Sequence, residues 1–229
     1  MFHTKLRGAA QAPAALVSEV IVGGLADAIG LRVPARVLID IASDLPTDDR
    51  NDELAQLLAM SAGRNLGFQV LPDVTDFRPE DAARVPPDLG ATILWLDGLV
   101  LNPDRTTANP NLLWSHGKLW LIDHGACLGF QHDWPAVTED TPRVPGNVLD
   151  RHALRVHRPR LGEVDASLAA LLPRDALEAV VNAVPAEFLP AQAGSEARAR
   201  RRAQYVAFLW KRLKAPRPFV ASVITPKKG

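Results

Sequence analysis

Residues 97–133 read DGLVLNPDRTTANPNLLWSHGKLWLIDHGACLGFQHD. The segment opens on the end of an apolar run and enters a polar loop that holds Asp104 and, five residues on, Asn109. Asn111 to Trp114 and Leu119 to Ile122 read as two short strands around Ser115-His116-Gly117-Lys118, which predicts a hairpin. The return strand delivers Asp123 in Asp123-His124-Gly125. A hairpin of this length brings Asp123 back beside the loop that precedes it.

Asp, Asn and Asp in that order suit phosphoryl transfer. That chemistry asks little covalent help of a protein and much positioning and charge neutralisation. Asp104 would take the proton of an attacking hydroxyl, Asn109 would hold a metal ion, and Asp123 would bridge metal to phosphate. Magnesium is a hard cation, so carboxylate and amide oxygens are the ligands it prefers. The letters alone are weak. Asp97 and Asn102 repeat the same spacing, although Asp97 lies within an apolar run, and Asp88-Leu89-Gly90 is a second Asp-x-Gly at a helix entry. An Asp/Asn-rich turn before an ordinary hairpin is the competing reading, because these residues favour turns for local reasons.

The stretch NPDRTTANPNLLWSHGKLWLIDHGACL (residues 102–128) closely resembles the HipA-like kinase family. Phe2 to Ala9 resembles that family's strand with the nucleotide lysine and its glycine-containing turn. Ala15 to Glu19, Leu25-Ala26 and Gly30 to Pro34 resemble the following helix and its exit. Ser61 to Gly67 and Leu71-Pro72 resemble the middle block. The likeness covers residues 2 to 135 well and the remainder loosely. It implies a mixed α+β, protein-kinase-like, two-lobed fold of HipA type, with a reduced small lobe over 1–70 and a mostly helical catalytic lobe over 71–214. The tail over 215–229, with three prolines and Lys227-Lys228-Gly229 at its end, reads as extended or disordered.

The resemblance also implies an ATP- and Mg2+-dependent phosphotransferase acting on a hydroxyl, as on Ser or Thr of a protein. Residue by residue, Lys5 would contact phosphates, Glu19 would pair with Lys5, Asp104 would be the catalytic Asp, and Asn109 and Asp123 would be the metal ligands. The backbone of 66–71 would contact adenine. Only four residues precede Lys5, where a kinase small lobe normally carries two strands and a glycine-rich loop. Either the start is truncated or the covering loop is absent, and the turn from Arg7 through Gly8 to Gln11 would then have to cover the phosphates. A catalytically weak or inactive nucleotide-binding module is therefore the alternative, and a basic RNA-associated protein using the last helix is a third reading.

Composition sets outer limits. Formal net charge is zero, so no global field favours nucleic acid or a membrane surface. No uninterrupted apolar stretch approaches the ~18 residues that suggest a membrane span, and the first residues carry no apolar signal region. The single Cys127 excludes an internal disulfide and suits a reducing cytoplasm. Its place after the acidic turn reads as a small buried residue. The expected partners are a nucleotide and a protein or small-molecule acceptor.

Outside the deciding segment, residues 2–7 predict a strand, Pro13 to about Ile29 a helix stopped by Gly30, Val33 to Ile41 a strand, Asn51 to Gly63 a helix and Leu66 to Leu71 a strand or hinge. The Pro/Asp-rich stretch 72–88 reads as irregular, and Leu89 to Leu101 as a core helix. Glu19 falls among apolar neighbours, where a lone carboxylate is costly. It either faces solvent or pairs with Lys5. Residues 135–147 read as a loop in which Thr138 and Thr141 are either phosphorylation sites or plain surface. His152, His157 and the arginines between them form a basic cluster without metal-ligand geometry. Helices are expected over 161–172, 174–184 and 195–213, the last with Arg198, Arg200, Arg201 and Arg202 on a solvated face and Tyr205, Phe208, Leu209 and Leu213 on a packed one.

Overall fold

The structure is a computed structural model that describes residues 1–9, 12–45, 52–146, 148–189 and 194–224. In chain order its elements are β1 (Phe2–Lys5), α1 (Ala12–Ala28), β2 (Arg36–Ile41), α2 (Asp52–Met60), β3 (Gly63–Gln69), β4 (Val74–Asp76), α3 (Pro87–Val100), β5 (Leu112–Ser115), β6 (Lys118–Leu121), α4 (Leu161–Ala170), α5 (Arg174–Asn182), α6 (Ser195–Leu213) and α7 (Pro218–Ile224), with short 3-10 turns between them. The architecture is mixed α+β with two small antiparallel sheets.

The first sheet runs β1-β3-β2 and sets Lys5 opposite Leu66 and Leu38 opposite Leu66 on the other side. Close pairing there depends on Gly67, where a Cβ would fall 2.4 Å from the Ile39 Cδ1. Helix α1 follows β1 and buries Leu16, Val17, Ile21, Val22, Leu25 and Ala26. It ends as expected at Gly30, whose φ of 80° supplies the left-handed residue that closes a helix C-terminus.

The second sheet runs β4-β5-β6. Its hairpin turn is tighter than the four residues expected: Ser115 pairs with Lys118, leaving His116 and Gly117, both at positive φ. That is the conformation a two-residue turn needs to match strand twist. Strand β4 lies inside the stretch read as irregular. Its pairing to β5 (Val74 with Ser115) supplies hydrogen bonds that its own three residues do not advertise.

Helix α3 is the axis of the molecule. From Gly90 to Val100 it is buried, apart from a half-buried Thr92, with Ile93, Leu94, Trp95, Leu96 and Leu99 inaccessible. A helix that is apolar all round has to be enclosed, and α4, α6, α7 and α1 enclose it. Each of its buried Leu or Ile side chains stabilises the fold by about 1.5–3 kcal/mol. Trp95 also donates its indole N–H to the Asp165 Oδ1 at 2.8 Å.

The carboxy-terminal expectation is corrected over 218–224, which form helix α7 instead of an extended tail. Pro218 stands at the helix start, where a missing N–H costs nothing. Phe219 is buried edge-on to Trp95 with ring centroids 5.6 Å apart, and it fills the space left by Gly98. Residues 225–229 lie outside the described residues.

Helix α6 spans the residues expected, but its basic face is only partly solvated. Arg200 is exposed and pairs with Glu196, whereas Arg201 lies 4.5 Å over the Trp134 ring and Arg202 donates to the Val184 carbonyl at 2.6 Å. Arg212 is wholly buried. Its guanidinium donates to the carbonyls of Gly98, Leu99, Pro142, Val144 and Pro145, and burial, with Arg143 nearby, brings its pKa down to about 10. The C-terminal carbonyls of α3 have no intrahelical donors, and one planar guanidinium with five N–H groups serves them together with the 142–145 segment. The stretch 135–147 is not a plain loop: the 3-10 turn Trp134–Ala136 runs into its start and Thr141–Arg143 is a second such turn within it. Among the described residues no helix is long and apolar enough to cross a membrane.

Candidate functional site

Lys5, the last residue of β1, reaches Glu19 Oε1 at 2.5 Å and Asp123 Oδ1 at 2.7 Å. Strand, helix and hairpin thus meet on one ammonium group. Glu19 does not face solvent: it is fully buried on α1. Burial pushes its carboxyl up, but the hydrogen bond and charge of His124 and the charge and hydrogen bond of Lys5 outweigh this, and its pKa falls to about 2. Burial likewise pushes the Lys5 ammonium down, and the Glu19 and Asp123 carboxylates more than reverse it, so its pKa is raised. Both groups are charged at neutral pH.

Asp123 follows β6 in the left-handed region at φ 53° and is half exposed. Asp tolerates that region better than most residues. The left-handed step turns the chain back so that the His124 N–H donates to Glu19 Oε1 at 3.0 Å. Past the turn, Tyr205 donates to Gln131, Gln131 to Ser18, and Ser18 to the Cys127 carbonyl, which ties the segment after Asp123 to α1 and α6. The Cys127 thiol is buried, and burial pushes its pKa well up, so it is not a nucleophile.

Asp104 lies on the loop after α3. Its Oδ2 accepts from the Asn111 side-chain amide at 3.0 Å, and its own N–H donates to the Asn102 Oδ1 at 3.0 Å. The Asn111 carbonyl accepts from the Ile122 N–H at 3.1 Å, one residue before Asp123. Asn111 therefore touches both ends of the candidate site. Asn109 is exposed, and its backbone closes a tight turn with Thr106. The amide brought onto Asp104 is that of Asn111, not that of Asn109.

The loop is held from below by Asp97. This fully buried carboxylate accepts from the Asn102 amide at 2.8 Å, the Arg105 Nε at 2.7 Å and the His152 Nε2 at 2.8 Å. Burial alone would raise its pKa, but the Arg105 charge and the His152 hydrogen bond hold it well below the ordinary carboxylate range. His152 stays below its own ordinary value, chiefly by burial. Its Nδ1 accepts the Leu154 N–H at 2.9 Å, which leaves the proton on Nε2 facing Asp97. Arg105 also donates to the Asn111 carbonyl. The second Asp-x4-Asn pair in the sequence is thus the foundation of the loop that carries the first.

Gly8 is accounted for by packing. Its N–H donates to the Ser61 Oγ at 3.0 Å, and a Cβ would fall 2.6 Å from the Met60 Cβ. Its amide is committed to Ser61, just past the end of α2. Gln11 lies outside the described residues.

A cleft of about 380 Å³ opens beside Lys5, Glu19, Asp123 and His124. Most of its lining is apolar, with Val33, Phe68, Leu71, Val74, Leu113 and Leu121, and His3, Arg36 and Gln69 also border it. A mostly apolar slot of this size with a few charged groups is how small-molecule sites are commonly built. Among the described residues no group of three or more His, Cys, Asp or Glu side chains would hold a metal ion alone. The Asp123 carboxylate at the cleft is an oxygen donor of the kind that suits a hard cation arriving with phosphate oxygens of its own.

The profile of the HipA-like kinase family matches residues 3–215 of this 229-residue chain. The chain belongs to the HipA-like kinase family. The match runs from β1 through α6 and spans Lys5, Glu19, Asp104, Asn109 and Asp123. A search of curated proteins finds no match to the chain.

Three residues of the site were not singled out by sequence reasoning. Arg105 was signalled by Asp97, since a carboxylate in an apolar run needs a buried cation. Asn111 was masked by Asn109, two positions earlier and of the same type. His124 sat inside the quoted acidic turn and was passed over.

Proposed function

We propose that this chain is an ATP- and Mg2+-dependent phosphotransferase that moves the γ-phosphoryl group to a hydroxyl, with Ser or Thr of a protein as the acceptor class. The observation that carries the reading is Lys5 held between Glu19 and Asp123 beside a mostly apolar cleft. The apolar wall would take the nucleobase, with the 66–71 backbone against it. Lys5 would turn from Asp123 to the phosphates and neutralise their charge. Asp123 and Asn109 would hold magnesium, which supplies further neutralisation of the phosphates when bound. Asp104 would orient the acceptor hydroxyl and accept its proton, with Asn111 fixing one carboxylate oxygen so that the other is aimed. In this reading the first sheet with α1 forms a small lobe, α3 to α7 form a large one, and the enzyme works in the cytoplasm.

A second reading, a nucleotide-binding module without turnover, is favoured by one observation: the Gly8 amide is bonded to Ser61 and offers nothing to a phosphate. Transfer from γ-labelled ATP to a mixture of proteins, with and without magnesium, separates the two. Label transfer that Asp104→Asn abolishes supports the enzyme. A magnesium-dependent thermal shift with ATP but no transfer supports the module. No shift at millimolar ATP refutes both.

A further inference from the structure

Glu19 gathers donors from two directions. Its Oε1 accepts from the Lys5 ammonium at 2.5 Å and from the His124 backbone N–H at 3.0 Å, while its Oε2 lies 3.3 Å from the His124 Nδ1. An ionised carboxylate only accepts, so Nδ1 must carry a proton to bond there. The ring is 3 % exposed, and its Nε2 is buried without a partner among the described residues. The imidazole is therefore spent wholly on Glu19. Any apolar side chain of similar size would fill the same space without that bond.

From this we infer that His124 is a positioning residue that fixes the direction of the Glu19 carboxylate and, through it, the place of Lys5. With Oε2 occupied by the ring, Oε1 is the oxygen left for Lys5, and the ammonium stays at the cleft within reach of Asp123. Without the ring donor, Oε2 is a buried acceptor with no partner. The carboxylate then rotates to share Lys5 between its oxygens, and the ammonium leaves the place from which it would turn to the phosphates. The residue after Asp123 thus couples the turn that carries Asp123 to the helix that carries Glu19. This rests on the phosphotransferase reading for its effect on rate, but the hydrogen bond itself does not.

The test uses the full chain. His124→Phe keeps the ring volume and removes the donor; His124→Asn puts an amide N–H near the place of Nδ1. For His124→Phe the expected result is a kcat lower by about tenfold or more, with the KM for ATP moving less than about threefold, and His124→Asn recovering most of the loss. A kcat for His124→Phe within about twofold of the parent, or an Asn variant that folds and is no better than Phe, overturns the inference. Two readouts need no turnover. In 1H–15N spectra of histidine-labelled parent protein, His124 should carry a proton on Nδ1, and a ring protonated on Nε2 alone would overturn the inference even if neither variant folds. Lys5 should acylate faster in His124→Phe than in parent and return toward the parent rate in His124→Asn; equal rates in all three also count against it. If the parent transfers no phosphate, the kinase reading fails while these two readouts still decide the role of His124.

Discussion

Lys5 Nζ lies 2.7 Å from Asp123 Oδ1, so the lysine proposed for phosphate and the aspartate proposed for metal are paired directly with each other. Nucleotide and metal must compete with that pair, and they are expected to do so best together. ATP with magnesium should raise the melting temperature, and ATP with a chelator much less, since only ligands of the folded state stabilise it. Asp123→Asn should remove most of the magnesium dependence while leaving Lys5 bonded to Glu19. Thermal shift against ATP concentration, with and without magnesium, measures both.

Asp104→Asn is expected to lower kcat by about a hundredfold or more with ATP binding and melting temperature nearly unchanged, because a proton acceptor acts mainly in the transition state. The two nearby asparagines should then separate. Asn109→Ala should raise the magnesium concentration needed for half-maximal rate, and Asn111→Ala should lower kcat at saturating magnesium. The opposite pattern in a magnesium titration would exchange their roles.

Stability should fall steeply in acid. The folded-state pKa of Glu19 is depressed to about 2 from an ordinary 4.5. Its contribution is therefore fully present above about pH 4.5 and lost as pH falls toward 2. Asp97, depressed in the same direction, adds to the loss. Each is worth on the order of a few kcal/mol. Urea unfolding followed from pH 6 to pH 3 should show the decline, and Glu19→Gln should show a shallower one.

Arg212→Met should cost about 3–5 kcal/mol, because it leaves several buried carbonyls without donors. Arg200→Ala, on the exposed side of the same helix, should change stability by less than about 0.5 kcal/mol. Urea midpoints of the two variants provide the comparison, and similar values would mean that the Arg212 contacts are not as drawn.

The periodic elements were legible in the sequence because their signals are local. α6 was placed end to end, and α3, α4 and α5 within two or three residues, from apolar spacing, proline and glycine. β4 was not legible, because a three-residue strand is defined by its partner. α7 was not, because prolines were read as breakers when Pro218 in fact opens a helix. At the site, Asp123 came from the hairpin and the order of its acidic and amide residues, Lys5 and Glu19 came from resemblance, and Lys5 is found in contact with both carboxylates. Asn111 and His124 were missed for a common reason: each acts through a side-chain bond to a residue distant in sequence or masked by a look-alike, and no short-range pattern records it. The doubled Asp-x4-Asn spacing was ambiguous in letters and is resolved by burial, since Asp97 is enclosed and Asp104 is not.

The Asp97 carboxylate sits at the end of the most enclosed helix, and the loop bearing Asp104 is bonded to it through Asn102 and Arg105. Opening that loop means breaking two bonds to a buried charge, so it should not breathe apart from the core. The Asn102 N–H, which donates to the Asp97 carbonyl at 2.9 Å, should then exchange with solvent deuterium as slowly as the centre of α3. A connector by shape would be, in its kinetics, part of the last unit of the molecule to come undone.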